Sequence, residues 1–207
     1  MDPSTRFWDK IAERYARQPI ADEAAYQKKL EATRGYLRPE SDVLEFGCGT
    51  GSTAIAHAPQ VRSIHAIDIS SKMIGIARAR AEAAGVANVV FEQGSIEAAD
   101  IASQSLDVVL GLSILHLLKN RDAVIAKVRS ILKPGGVFIS STICIGDSMG
   151  FLRLLLPVGR ALGLIPMVRV FTRAALVDSL QKAGFEIDYE WQPAKRAAVY
   201  IVARKPG

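Results

Sequence analysis

The chain is poor in cysteine, since its 207 residues include only Cys48 and Cys144. Two cysteines are too few for a disulfide framework, and neither belongs to a CxxC pair of the kind that binds zinc or exchanges thiols. The sequence therefore argues against a disulfide-stabilised secreted scaffold, and it contains no spacing that predicts a metal site. We expect a reducing, cytoplasmic environment.

Long apolar runs are missing as well, and we expect no secretory leader segment. Asp2, Arg6, Asp9 and Lys10 precede any apolar stretch, and no segment reaches membrane-spanning length without a charge or a proline. Runs of basic residues are also absent, although the net charge is +5 and the isoelectric point is about 9.3. Because lysine and arginine are scattered along the chain, we do not favour nucleic acid as a partner. We expect the protein to be soluble.

The chain does have enough apolar material for one folded domain, with 49% hydrophobic residues. Residues 1–40 have helical spacing, as in Trp8, Ile11 and Tyr15. Strand and helix signals then alternate. The predicted strands cover residues 43–46, 63–68, 89–92, 106–112 and 137–142, and helices are predicted from residue 52 and over 70–84, 121–132 and 172–183.

The C-terminal pattern differs from this alternation. Two predicted strands, 185–191 and 197–203, are joined by a loop too short for a parallel return, so they must pair antiparallel. The expected fold is α/β, a mostly parallel sheet with helices on both faces and an antiparallel hairpin at its end. A turn at Pro134, Gly135 and Gly136 is expected to precede the fifth strand. We expect one domain over residues 1–207, divided into a helical cap at 1–40, a core at 41–145, an apolar insertion at 146–171 and a final helix with the hairpin at 172–207.

The first predicted strand runs into a glycine-rich turn and then into a helix. Gly47, Gly49 and Gly51 let the backbone turn tightly and let a ligand approach the amide groups, which is typical of a site for a nucleotide-like ligand. A dinucleotide site has the pattern GxGxxG with a pyrophosphate at the helix start, whereas this turn is GxGxG and follows Glu45. A carboxylate repels a pyrophosphate but favours the ammonium of a methionine moiety, in direct or water-mediated contact. The pattern therefore weakens the hypothesis of a nicotinamide-dependent oxidoreductase.

Asp68 ends the second predicted strand, 21 residues beyond Gly47. Its carboxylate can accept hydrogen bonds from both hydroxyls of a ribose. The alternative is a structural role at the start of the helix that follows, ahead of Ser70 and Ser71. The two roles are compatible.

Five segments resemble, in order, the successive motifs of class I S-adenosylmethionine-dependent methyltransferases. They are VLEFGCGTG, AIDIS, FEQGSIE, LDVVLGLSILHLL and LKPGG, and they cover residues 43–140. The resemblance implies a Rossmann-like fold with a seven-stranded sheet in the order 3-2-1-4-5-7-6, whose last strand is antiparallel. It also implies S-adenosyl-L-methionine as the cofactor and methyl transfer as the activity.

The cofactor-binding residues that the resemblance implies follow these motifs: Glu45, Gly47, Cys48, Gly49 and Gly51 on the methionine side, Asp68, Ile69 and Met73 at the ribose and adenine, Gly94, Ser95 and Ile96 around the adenine, and Gly111 and Leu112 beside the methyl group. Many relatives have aspartate at the position of Ser95, whose hydroxyl accepts more weakly. Tyr15 resembles an aromatic residue that caps the cofactor in small-molecule relatives, and packing in the core is its alternative role.

Methyl transfer from a sulfonium needs alignment more than a particular catalytic side chain, because the cofactor supplies the electrophile. His116, after the fourth predicted strand, is the candidate base, although relatives often have a histidine here without a catalytic duty. His57 and His65 are less well placed. Cys144 is a candidate nucleophile, but a lone cysteine in apolar surroundings is usually inert.

The acceptor is indicated only as a class. Residues 112–115 read LSIL where members that methylate nucleobase amines have Asp/Asn-Pro-Pro-Tyr/Phe, and the following LHLL run resembles small-molecule, quinone and lipid methyltransferases. The apolar segment 146–170, which contains Arg153 and Arg160, predicts a lid over a hydrophobic acceptor or a contact with a membrane surface. Packing on the sheet or on a second subunit is the alternative for this segment. A non-catalytic cofactor-binding module and an RNA methyltransferase are the alternative functions.

Overall fold

The computed structural model describes residues 3–147, 167–194 and 196–207. Within these ranges the strands are β1 (Asp42–Phe46), β2 (Ser63–Asp68), β3 (Val89–Gln93), β4 (Leu106–Leu112), β5 (Leu132–Thr142), β6 (Glu186–Trp191) and β7 (Val199–Arg204). They form one sheet in the order β3-β2-β1-β4-β5-β7-β6. Strands β1 to β5 pair parallel, and β7 is antiparallel to both β5 and β6. The predicted strand order and the antiparallel last strand are confirmed.

The helices are α1 (Pro3–Arg17), α2 (Glu23–Arg34), α3 (Ser52–His57), α4 (Ser71–Ala83), α5 (Arg121–Ile131) and α6 (Arg173–Lys182). Four of them begin at a polar residue whose side chain accepts a hydrogen bond from the amide three positions later: Asp22, Ser70, Asn120 and Thr172. These caps satisfy amides that have no partner inside the helix. The predicted starts of α4 and α6, at residues 70 and 172, are the capping residues of these helices.

Two apolar layers bury the faces of the sheet. On one face, α5 and α6 contribute Val124, Ile125, Leu176 and Leu180, which pack against strand residues such as Phe138. On the other face, residues of α3 and α4 pack over a cluster that includes Val43, Ile64, Leu110 and Val202. Helices on both faces of the sheet are thus confirmed.

The turn expected at Pro134–Gly136 lies inside β5. The β5 register against β4 shifts between Leu106 and Val108, because extra β5 residues oppose this short stretch. Gly135 donates its amide to the Lys205 carbonyl at 2.9 Å, and the Lys205 amide donates to the Gly136 carbonyl at 2.9 Å. The segment is therefore a bulge held by backbone hydrogen bonds, and the strand begins five residues earlier than predicted.

The helical cap predicted at 1–40 consists of α1 and α2, and α1 packs against α4. Most of the apolar insertion predicted at 146–171 lies outside the described residues. No helix in the described part of the chain has the length and apolar character needed to cross a membrane.

Candidate active site

A cavity of about 590 Å³ opens at the carboxyl ends of β1, β2 and β4. Because β1 lies between β2 and β4, this is the point where the strand order reverses, and ligands of open α/β sheets bind there. The volume is in the range of small-molecule sites. The cavity is lined by Ser4, Thr5, Trp8, Tyr15, Phe46, Gly47, Gly49, Asp68, Ile69, Met73, Gly94, Ser95, Ile96, Glu97, Leu112, Ser113, Ile114, Leu117, Leu118, Lys119 and Met167.

The glycine turn between β1 and α3 forms part of this wall. Its glycines have a left-handed backbone, with φ of +67° at Gly47, +54° at Gly49 and +77° at Gly51. A Cβ on Gly47 would lie 2.8 Å from Ile114 Cδ1, and one on Gly51 would lie 2.7 Å from Phe91 Cε1. A Cβ on Gly49 would meet nothing closer than 4.0 Å. Gly47 and Gly49 therefore border the cavity, whereas Gly51 faces the core, where it is the N-cap residue of α3.

Asp68 braces the glycine turn from the end of β2. Its Oδ2 accepts a hydrogen bond from the Gly49 amide at 2.9 Å, and its Oδ1 accepts one from the Ser70 amide at 2.9 Å. Burial raises the pKa of Asp68, while these two amides act in the opposite direction. Each carboxylate oxygen has a second lone pair, so Asp68 can accept hydrogen bonds from a ligand while it holds the turn.

Glu45 lies behind the cavity wall and is only 3% exposed. Its Oε2 has no hydrogen-bond partner among the described residues. Burial, and secondly the negative charge of Asp68, raise the pKa of Glu45 to about 8. A cation close by would favour the ionised form. Because Glu45 does not line the cavity, its contact with the ammonium of a ligand would pass through a water molecule.

The helix α1 forms one side of the cavity, with Ser4, Thr5, Trp8 and Tyr15. Trp8 and Tyr15 lie on the same face of α1, and their rings meet edge to face with centroids 6.2 Å apart. Tyr15 is 45% exposed, and its Cε1 lies 4.0 Å from where a Cβ on Gly49 would stand. Burial and the charge of Asp68 raise the pKa of Tyr15, so the phenol stays neutral at physiological pH.

The segment after β4 forms another part of the wall, with Leu112, Ser113 and Ile114. Ser113 has φ of +57°, a left-handed conformation that is uncommon outside glycine. Its amide is held by a hydrogen bond of 2.7 Å to the Ser141 carbonyl. The Ser113 side chain is exposed, and its hydroxyl has no hydrogen-bond partner among the described residues. Strained backbone at a cavity wall is a frequent feature of functional sites.

The chain matches a family model described as a methyltransferase domain over residues 37–182, which is well over half of its length. The match includes the glycine turn, Asp68 and the segment after β4. The chain belongs to the class I S-adenosylmethionine-dependent methyltransferase family.

Two relatives and one solved structure describe the likeness. An uncharacterized methyltransferase, YcgJ of Bacillus subtilis (strain 168), is 31% identical over 102 residues, which cover 49% of this chain and 40% of YcgJ. A ubiquinone biosynthesis O-methyltransferase of Sinorhizobium fredii is 30% identical over 135 residues, 65% of this chain and 49% of the relative. The crystal structure of the Bacillus subtilis YcgJ protein matches with a TM-score of 0.72 and 18% identity over 87% of this chain and 99% of that one. The chain spans about half the length of these curated relatives.

The fold brings most of the predicted cofactor-binding residues to one cavity. Those that line it are Tyr15, Gly47, Gly49, Asp68, Ile69, Met73, Gly94, Ser95, Ile96 and Leu112. Glu45, Cys48, Gly51 and Gly111 do not line it. A Cβ on Gly111 would lie 2.6 Å from Phe46 Cζ, so this glycine allows close packing inside the sheet. Burial raises the pKa of the Cys48 thiol far above its usual range, which keeps that side chain unreactive.

The candidate base, His116, lies in a short 3₁₀ turn (Leu115–Leu117) and does not line the cavity. Its Nδ1 is buried without a hydrogen-bond partner among the described residues. Burial lowers the pKa of His116, so the neutral imidazole prevails at neutral pH. His57 is fully buried at the end of α3, and Cys144 is buried with a raised pKa of about 12. Neither has the exposure that a catalytic group requires.

The sequence interpretation missed several cavity residues, among them Ser4, Thr5, Trp8, Phe46, Glu97, Ser113 and Lys119. A signal for Trp8 was present, because residues seven positions apart lie on one face of a helix and Tyr15 was already a candidate. Phe46 follows directly from its place before Gly47. Glu97 and Lys119 have no comparable signal, since both follow short turns whose direction depends on distant packing.

Proposed function

We propose that the protein transfers a methyl group from S-adenosylmethionine to a small acceptor with a large apolar part. The observation that carries the proposal is the mixed character of the cavity wall. One part is the glycine turn with Asp68, and another consists of apolar side chains such as Ile114, Leu117 and Met167. The Arg169 amide donates to the His116 carbonyl at 2.7 Å, which holds the segment of Met167 beside the segment after β4.

The glycine turn and β2 would supply the polar contacts of the cofactor. Gly49 has no side chain to keep a ligand from the backbone, which suits the methionine part. The remaining lone pairs of Asp68 suit the two ribose hydroxyls. When it is bound, S-adenosylmethionine supplies a methyl group on a sulfonium, which a nucleophile displaces in line.

An apolar slot next to Asp68 would hold the adenine. It consists of Ile69, Met73 and Ile96. Met73 is held in place at the start of α4, where its backbone amide donates a hydrogen bond to Ser70 Oγ at 3.1 Å. Ser95 adds a hydroxyl, which already accepts from the Ala98 amide at 3.3 Å. Its second lone pair would accept from the adenine amino group.

The chain contributes alignment and the exclusion of water rather than covalent chemistry. Trp8 and Leu117 give the wall apolar surface that excludes water from the reacting centre. The unpaired Ser113 hydroxyl is placed to hydrogen-bond with the polar group of an acceptor. His116 stays our candidate for a base, and it would act through a water molecule, because it does not reach the cavity itself.

A quinone-like or lipid-like acceptor fits the apolar wall best. One similar protein is named for ubiquinone biosynthesis. The apolar segment 146–170, whose arginines Arg153 and Arg160 could meet an anionic head group, would cover such an acceptor or touch a membrane surface. A peripheral contact of this kind requires no membrane-spanning helix.

Binding of the cofactor tests the first half of the proposal. In isothermal titration with S-adenosylhomocysteine, Asp68→Ala should bind more weakly by about 1–3 kcal/mol, because charge-assisted hydrogen bonds are lost. Asp178→Ala is the control, since Asp178 lies on α6 in an exposed pair with Lys182. Thermal unfolding of each variant separates the loss of ligand contacts from the loss of the bond to the Gly49 amide. Equal affinity of Asp68→Ala and native protein would disprove the ribose role.

Turnover tests the second half. With S-adenosylmethionine as donor, release of S-adenosylhomocysteine is measured over a panel of alkyl-substituted catechols, quinols, fatty acids and transfer RNA. We expect turnover with apolar acceptors and none with RNA. Binding of S-adenosylhomocysteine without turnover on any acceptor would favour the non-catalytic module, and binding of NAD instead would favour an oxidoreductase.

A further inference from the structure

The helix α1 is fastened to the cofactor-binding elements at two separate points. In its middle, Asp9 Oδ1 accepts a hydrogen bond from Ser70 Oγ at 2.6 Å and one from the Lys72 amide at 3.3 Å. Ser70 caps α4, and its own amide donates to Asp68. A continuous path of hydrogen bonds therefore runs from α1 to the carboxylate at the end of β2.

Arg80, near the end of α4, makes the second attachment. Its Nη2 donates to the Ala16 carbonyl at 2.6 Å, and its Nη1 donates to Thr50 Oγ1 at 2.7 Å and to Ser52 Oγ at 3.2 Å. Thr50 and Ser52 flank Gly51. One guanidinium thus joins the last turn of α1 to the end of the glycine turn.

The partners of Arg80 suit a connecting role. It forms no ion pair with a carboxylate among the residues that the structure describes. The Ala16 carbonyl belongs to the last turn of α1, where carbonyls lack partners inside the helix and where a cation is favourable. A planar guanidinium can hold acceptors on two elements in a fixed geometry, which a lysine ammonium cannot do equally well.

The same helix contributes to more than one part of the cavity. Tyr15 lies beside Gly49, while Thr5 and Trp8 extend the wall nearer the start of α1. Because a helix moves as a rigid element, an attachment at Ala16 also restrains the turns that carry Thr5 and Trp8. The position of the acceptor wall is therefore linked to the position of the glycine turn.

We propose that Arg80 is a positioning residue that couples ligand binding at the glycine turn to the docking of α1, so that bound cofactor completes the acceptor wall. The proposal rests on the proposed function, because it takes the ligand of this turn to be S-adenosylmethionine. Such coupling is reciprocal, since the factor by which the ligand stabilises docked α1 equals the factor by which docked α1 raises ligand affinity. The acceptor then binds after the cofactor.

The test uses S-adenosylhomocysteine as the probe and amide hydrogen exchange of α1 as the readout. In the native protein, saturating probe should slow the exchange of α1 by about 5- to 150-fold, the usual range of coupling between sites. In Arg80→Met the probe should slow α1 exchange clearly less than in the native protein, because only the path through Asp9 remains. The dissociation constant of the probe should rise by up to the factor by which the probe slows α1 exchange in the native protein. Arg80→Lys should restore part of both effects.

Arg78→Met is the matched control. Arg78 lies on the same helix, and its guanidinium also bonds a carbonyl, that of Phe91 on β3, at 3.1 Å and 2.6 Å. The hydrogen bonds of Arg78 go to β3 and not to α1, so Arg78→Met should keep the probe-dependent slowing of α1 exchange. If Arg80→Met does not fold, as judged by circular dichroism, Arg80→Lys carries the test, with a partial loss expected and native behaviour as the contrary result.

Slowing of α1 exchange in Arg80→Met equal to that in the native protein overturns the coupling. If the probe does not bind the native protein, the proposed function fails instead. The attachment of α1 by Arg80 is then tested in the protein without ligand. There the amides of α1 must exchange faster in Arg80→Met than in Arg78→Met. Equal exchange in the two variants overturns it.

Discussion

The three glycines of the glycine turn have different structural roles, although they belong to one sequence pattern. Gly47 makes room for Ile114, Gly49 leaves open space on the cavity side, and Gly51 allows the ring of Phe91 to approach the backbone. Two of the three roles are thus matters of packing inside the protein. Gly51 would affect ligand binding only indirectly, through the position of the glycine turn.

Gly51→Ala should lower the free energy of unfolding by about 2–4 kcal/mol, because a left-handed alanine is strained and its Cβ collides with Phe91 and Ala77. Urea denaturation of the free protein measures the change. Gly75→Ala is the control, since Gly75 lies within α4 and a Cβ there would meet nothing within 4 Å. It should raise the stability by about 0.5–1 kcal/mol. Equal stability of the two variants would contradict the packing role of Gly51.

The sequence predicts residues of the candidate site well where the chemistry requires a particular side chain or its absence on the cavity side. Asp68 and Gly49 are such positions, and both line the cavity. It predicts them less well where a glycine serves packing, because spacing does not show which side of the backbone is filled. Gly51 and Gly111 are the two examples, since their missing Cβ atoms make room for Phe91 and for Phe46.

At the scale of elements, the end of α5 depends on a residue from the last strand. Lys205 follows β7 and is 8% exposed. Its Nζ donates to the Arg129 carbonyl at 3.0 Å and to the Leu132 carbonyl at 2.7 Å. These carbonyls lie at the C-terminal end of α5, where they have no partner in the helix and where a cation is favoured. A buried lysine thereby ties α5 to the end of β7.

Lys205→Met should lower the free energy of unfolding by about 1–3 kcal/mol, because methionine fills the space but leaves buried carbonyls without a donor. The change is measured by chemical denaturation. Lys182→Met provides the comparison, since Lys182 is exposed and pairs only with Asp178 one turn away. It should change the stability by less than about 0.5 kcal/mol. A Lys205→Met protein as stable as the Lys182→Met protein would rule out the capping role.

The alternation of strands and helices follows from the sequence, because apolar period and capping residues are local signals. The bulge at Gly135 and Gly136 does not, because a Pro-Gly-Gly run normally predicts a turn. Its hydrogen bonds go to Lys205, some seventy residues away, and no local pattern announces that partner. The same limitation explains why β7 begins later than predicted, at Val199.

At the scale of the whole molecule, two buried titratable groups have opposite effects on how stability depends on pH. Burial, and then the charge of Arg34, lower the pKa of His57 to about 4, whereas the pKa of Glu45 is raised to about 8. His57 therefore contributes stability above pH 6.5 that is lost as the pH falls toward 4. Glu45 contributes stability below pH 4.5 that is lost as the pH rises toward 8.

The free protein should accordingly keep a nearly constant stability between pH 4.5 and 6.5 as far as these two groups decide it, and lose about 2 kcal/mol between pH 6.5 and 8. Glu45→Gln should remove the loss above pH 6.5, because glutamine does not titrate. Unfolding by urea at half-unit steps of pH measures both curves. A native protein whose stability is flat from pH 6.5 to 8 would contradict the raised pKa of the buried Glu45.

The position of α1 is another property of the whole molecule that the sequence does not reveal. Its amphipathic spacing predicts a helix, and Tyr15 was a candidate for the cavity. Its attachment depends on Asp9 meeting Ser70 and on Arg80 meeting Ala16, and both pairs are more than sixty positions apart. Such contacts follow only from the assembled sheet.

Trp8 lines the cavity, so its intrinsic fluorescence can be used to follow ligand binding. Trp8 and Trp191 are the two tryptophans of the chain, and Trp191 lies on β6 beside Lys28, whose Nζ is 4.5 Å from the ring centre. Replacement of Trp191 by phenylalanine would leave Trp8 as the sole indole emitter, with Phe7 and Tyr15 edge-on to it at 5.4 Å and 6.2 Å. The wavelength and intensity of its emission should then change when a ligand binds in the cavity, and no attached dye is needed.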